Sequence, residues 1–139
     1  MKISYGNFDF FTGGDLQYNN RSNFSWKDAE LPCAKVAGRV EVMKADHHGS
    51  EATNSPEALT ILSPQVIVAN FWVDVHPRTS IMSQMWKTLP TMDLFITNFC
   101  RGERPAGVDN KVSDADAAKV KGYDGKMTVK NVSGPYKSR

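Results

Sequence analysis

At 139 residues, with 40% hydrophobic and 23% charged residues, the chain has the size and composition of one soluble globular domain with a core of its own. A formal net charge of +2 and the lack of a dense Lys/Arg block give no strong nucleic-acid signal, and no apolar run reaches membrane-span length. The opening Met1-Lys2-Ile3-Ser4-Tyr5 lacks the basic region and apolar core of a signal peptide.

Lys2 to Phe11 is rich in β-formers, with Ile3, Tyr5, Phe8, Phe10 and Phe11. It is either one strand with a bulge at Gly6-Asn7 or a hairpin that turns there. Gly13-Gly14 then makes a sharp turn, and Asp15 comes directly after it. Gln17 to Lys35 is polar and irregular and predicts a long surface loop, with a short helix near Trp26 to Glu30. Val36 to Ala45 predicts a second strand, which runs into Asp46-His47-His48-Gly49-Ser50.

Ser55-Pro56-Glu57 has the start signature of a helix, serine at the cap and proline at the first turn, and that helix extends to about Leu62. Gln65 to Asn70 is nearly all apolar, as in a central strand covered on both faces. His76-Pro77 leads into a helix from about Arg78 to Leu89, with Ile81, Met82, Met85 and Leu89 on one face. Asp93 to Asn98 predicts another buried strand. Arg101 to Asn110 is turn-rich, Asp114 to Lys119 predicts a helical turn, and Lys126 to Val132 alternates like a half-exposed strand. Strand and helix alternate through this order, which predicts an α/β sheet with helices packed on it.

The two cysteines, Cys33 and Cys100, match no zinc-finger or redox spacing and are expected to be free buried thiols. The chemistry-bearing residues lie after predicted strands. A Gly-Gly-Asp turn alone is most often an Asx-turn. Two adjacent histidines before a glycine are a stronger sign of a metal site. On a strand their side chains would point opposite ways, so only one of them, His47 or His48, would face the metal. Gly49 lets the backbone pass close to the site, and Ser50 is placed to cap the next segment. His76 sits in a loop, where a lone histidine is more often plain polar surface.

Taken in order, Thr12-Gly13-Gly14-Asp15, then Val42-Met43-Lys44-Ala45-Asp46-His47-His48-Gly49-Ser50, the apolar Val66 to Ala69 strand and the His76-Pro77 helix entry resemble the C-terminal half of the metallo-β-lactamase-fold hydrolases. The resemblance is to the branch similar to the hydrolase domain of the ComEC DNA-uptake proteins, and it covers nearly the whole chain. It implies half of an αββα sandwich, with one mixed β-sheet flanked by helices. It also implies two zinc ions in the complete site, with manganese or iron also compatible with His and Asp ligands. On that resemblance Asp15 matches the carboxylate that bridges the two ions, and His48 the last ligating histidine. His47 would lie beside the metal or near substrate, and His76 and Ser50 near the pocket.

The family's HxHxDH motif is absent. The chain has three histidines, and none precedes Asp15. A catalytic zinc takes three protein ligands plus water, and Asp15 with His48 supplies two. The chain is thus expected to bind metal weakly or not at all alone, and to be completed by a second copy of itself or by a separate N-terminal half. Two functions are expected on this basis. One is the C-terminal part of a hydrolase in which activated water attacks a phosphoester, or less favourably an ester or amide carbonyl. The other is a non-catalytic α/β interaction module derived from such an enzyme. An unrelated α/β domain with a chance HHGS is the remaining reading.

Overall fold

In a computed structural model of the chain, residues 1–18, 28–70, 76–97 and 119–121 are described. The chain begins as a hairpin. β1 (Lys2–Tyr5) and β2 (Phe8–Thr12) pair antiparallel with Ile3 opposite Phe10, and Gly6 turns between them at φ 58°. Of the two readings open for this segment, the hairpin is the one observed.

Three strand–helix–strand crossovers come next: α1 (Glu30–Ala37) to β3 (Val42–Lys44), α2 (Pro56–Leu62) to β4 (Val66–Ala69), and α3 (Thr79–Thr88) to β5 (Asp93–Ile96). A two-residue β6 (Val120–Lys121) closes the far edge. The result is one mixed sheet in the order β1-β2-β3-β4-β5-β6, parallel except for the first hairpin. Crossovers of one hand that all step the same way across a sheet place their helices on one face. Here α2 packs between α1 and α3.

The core lies between those helices and the sheet. Register puts Phe11, Met43, Ile67 and Leu94 in one row, all buried. They meet Ala34, Leu59, Leu62, Met82 and Met85 from the helices. Alternation sends the next row, Ile3, Phe10, Val42 and Val66, to the opposite face. None of the described helices covers that face. Ile3, Phe8 and Phe95 stay 50%, 46% and 36% exposed there.

α2 starts as its sequence requires. The Ser55 hydroxyl accepts from the Ala58 N–H at 3.3 Å, and Pro56 fills the first helical position, where no N–H is needed. Ser55→Ala should therefore cost about 1 kcal/mol in urea unfolding, whereas Ser55→Thr, which keeps the hydroxyl, should retain most of the stability. Equal losses in the two variants would show that the cap contributes nothing.

One predicted element is corrected. Val36 and Ala37 are not strand but the last turn of α1, and β3 is confined to Val42–Lys44. Gly38 ends that helix at φ 64°, and its N–H reaches the Ala34 carbonyl. The helix expected near Trp26 to Glu30 begins only at Glu30, and Trp26 lies outside the described residues. Also outside them are Cys100, the Arg101 to Asn110 turns, all but the last residue of Asp114 to Lys119, and the Lys126 to Val132 strand. Cys33 is a free, half-buried thiol. No helix among the described residues is long and apolar enough to cross a membrane.

Candidate functional site

The parallel strands β2, β3 and β4 end side by side, and the motif residues continue directly from those ends. In open α/β sheets this carboxyl edge is where ligands bind. A shallow polar cleft lined by Arg39, Gln65 and Asp93 lies at the opposite, amino edge of β4 and β5, away from every motif residue.

The histidine pair does not sit on a strand. β3 stops at Lys44, and Asp46–Gly49 forms a single tight turn. Within it His47 (φ 44°, ψ 44°), His48 (φ 58°, ψ 19°) and Gly49 (φ 72°) are all left-handed. The expectation that the two rings point to opposite faces is therefore replaced. They leave a left-handed turn, with centroids 6.4 Å apart and planes 62° to each other. Two left-handed non-glycine residues cost about 1–2 kcal/mol each. Strain of this kind persists where surrounding contacts fix it, and it clusters at functional sites.

Those contacts can be named. His47 N–H donates to the Gly14 carbonyl at 2.9 Å, which ties the turn to the Gly13–Asp15 loop. Ser50 N–H closes the turn onto the His47 carbonyl at 2.9 Å; Ser50 is buried, and the helix cap is Ser55 rather than Ser50. On the far side Arg78 N–H donates to the Gly49 carbonyl at 2.9 Å. A methyl on Gly49 would meet Pro77 Cβ at 2.8 Å, so the His76-Pro77 segment lies directly against the turn. This brings the His76 ring within 6.0 Å of His47, which makes His47 the middle of the three imidazoles.

Beneath the turn lies a buried polar network. Glu30, 2% exposed at the start of α1, accepts from the backbone N–H groups of Asn54 and Ser55. The Asn54 side chain accepts from Asp46 N–H at 3.0 Å and donates to the Asp46 carbonyl at 3.1 Å. Asp46, 3% exposed, accepts from Gly13 N–H at 3.2 Å, and any Cβ on Gly13 would overlap its carboxylate. The network thus joins α1, the start of α2, the histidine turn and the Gly13–Asp15 loop. Burial pushes the Asp46 carboxyl up to about 7; the Glu30 charge adds to the rise and the Gly13 N–H opposes it. Burial also raises Glu30, despite its two backbone donors.

Asp15 is exposed, one residue beyond the carbonyl that holds His47. Lys44 reaches over the same loops, its ammonium donating to the carbonyls of Ala45 at 3.0 Å and Gly14 at 3.4 Å. Three groups that sequence reasoning left without a role stand here: Gln17, Asp46 and Asn70. Gln17 Nε2 is 2.8 Å from His47 Nδ1, and the Asn70 carbonyl is 3.2 Å from His48 Nδ1. Asp46 alone carried a signal, an acid directly after a buried strand. Gln17 and Asn70 reach the histidines across sequence gaps of 30 and 22 residues, and no local pattern marks them.

The donors suit a metal only in part. Among the described residues no three His, Cys, Asp or Glu side chains converge closely enough to hold an ion. Compared with protein-family models, curated proteins and solved structures, the chain matches none of them.

Proposed function

We propose that this chain carries half of a hydrolytic metal site, with Asp15 and His48 as its donors and the remaining ligands supplied from elsewhere, as the resemblance to the C-terminal half of the metallo-β-lactamase fold implies. The observation that carries this reading is the state of His48. The Asn70 carbonyl can only accept, so Nδ1 of His48 is the protonated nitrogen. The neutral ring then has its lone pair on Nε2, as an imidazole ligand oriented by a carbonyl does. The chemistry a bound divalent ion supplies is activation of water and polarisation of a phosphoester. The chain's own part is to hold the donors at the strand ends in a turn fixed by Asp46, Asn54 and Glu30.

The sheet face that no described helix covers supports the second half of the proposal. Ile3, Tyr5, Phe8 and Phe95 are the large apolar side chains left open on it, and such a face fits a second sheet. Either a second copy or a separate chain bearing the missing histidines would complete the sandwich.

Cobalt(II), a coloured stand-in for zinc, tests the metal half. The purified chain should bind it weakly, well below the affinity of a three-ligand site, and the double substitution Asp15→Ala with His48→Ala should abolish the absorption band. Identical titrations of wild type and double variant would rule the reading out. That outcome would select the alternative, a non-catalytic interaction module.

A further inference from the structure

His47 and His48 are neighbours in sequence and in space, yet their Nδ1 atoms meet opposite partners. His48 Nδ1 faces a carbonyl, which accepts. His47 Nδ1 faces Gln17 Nε2, an amide nitrogen, which donates. A neutral imidazole whose Nδ1 accepts carries its proton on Nε2. The two rings therefore hold opposite tautomers.

We infer that this opposition divides the work of the site: His48 presents an Nε2 lone pair, and His47 presents an Nε2–H to an anionic oxygen of a phosphoester-type substrate, with Gln17 as the residue that fixes it. The inference rests on the metal half-site reading for the role of His48. The tautomer of His47 does not depend on that reading.

Gln17 is well placed to impose a tautomer. The backbone around it is tied down: Tyr18 N–H donates to the Ala52 carbonyl at 2.9 Å, and Ala29 N–H donates to the Gln17 carbonyl at 3.1 Å. The histidine turn it meets is itself held to Gly14. A hydrogen bond of ordinary strength favours the matching tautomer by ~fivefold. His47 is also the central ring, between His48 and His76, so a ligand among the three imidazoles would meet it. The ammonium of Lys44, at the end of β3 and bonded to the carbonyls of Gly14 and Ala45, adds positive potential for an anion.

The test is two-bond proton–nitrogen correlation spectroscopy of the imidazoles in the full chain at pH 8. Assignments would come from His47→Gln and His48→Gln. The expected result is His47 protonated on Nε2 and His48 on Nδ1. Inorganic phosphate should then shift the His47 Nε2 resonance, and zinc should shift that of His48. In Gln17→Glu a carboxylate, which can only accept, replaces the donor, so His47 should switch to the Nδ1–H form. Gln17 is exposed, so this variant should fold. Wild-type His47 protonated on Nδ1, no response of His47 to phosphate, or an unchanged tautomer in Gln17→Glu would each overturn the inference. The expected tautomers and phosphate response without any zinc response at His48 would uphold the role of His47 and overturn the metal half-site instead.

Discussion

Replacing Asp46 with asparagine should stabilise the chain at neutral pH and flatten its pH dependence. The carboxyl of Asp46 is raised from 3.8 to about 7, chiefly by burial. Between those values the folded state holds a proton that the unfolded chain has released. Stability is therefore full below about pH 4, falls as the pH rises toward 7, and levels off above it. A difference of that size corresponds to roughly 4 kcal/mol, an upper figure because Glu30 shares the network.

Asparagine keeps an acceptor for the Gly13 N–H and removes the charge, at the cost of an amide group that must find a partner. The expected gain at pH 8 is about 1–3 kcal/mol. Urea unfolding of both proteins from pH 4 to 8 measures it. Parallel pH profiles would show that Asp46 is not the group responsible.

Gly49→Ala should be among the most damaging single-methyl changes in the chain, and Gly14→Ala provides its control. Both glycines are left-handed, at φ 72° and 68°, so alanine at either carries a backbone cost of about 1–2 kcal/mol. They differ in their surroundings. A methyl at Gly14 meets nothing within 4 Å, whereas at Gly49 it meets Pro77 Cβ at 2.8 Å and the Pro77 backbone at 3.3 Å. The proline ring is stiff, and the Arg78 N–H to Gly49 carbonyl bond keeps the segment close. Overpacking of this kind adds about 1–3 kcal/mol, for a total of about 3 kcal/mol or more at Gly49. Comparable losses in the two variants would mean that the Pro77 contact yields freely. The same change should broaden or shift the imidazole resonances of His76, whose approach to His47 depends on that contact.

The parallel sheet was legible because its strands state themselves. Val66 to Ala69 and Asp93 to Ile96 are short apolar runs between helix signals, and the helix starting at Ser55-Pro56 carries its cap in plain view. α1 was hidden. Leu31-Pro32-Cys33 has no helical periodicity, and its start is capped from outside by Asp28, whose carboxylate accepts from Leu31 N–H. Val36, nearly wholly exposed, looked like a strand residue because β-branched residues favour strands, but Gly38 allowed the helix to end just after it.

The histidine turn was legible as composition but not as geometry. Nothing in Asp46-His47-His48-Gly49 says that non-glycine residues will take left-handed angles. That conformation is imposed by Asn54, beyond the turn itself, and by Gly14 and Pro77, which are distant in sequence. For the same reason Gln17 read as loop and Asp46 as part of a motif without a task.

The strand order also has a consequence for how the chain is made. Each strand from β2 to β5 pairs with the one before it, and among the described residues no strand inserts between two earlier ones. As the polypeptide leaves the ribosome, every new strand meets an edge already in place, with its crossover helix available to cover it. Neighbours in the sheet are neighbours in synthesis, so assembly proceeds by short loop closures and does not wait for a distant segment. The growing edge at each stage is the one the next stretch of chain will occupy, which shortens the time during which a nascent strand can pair with another molecule.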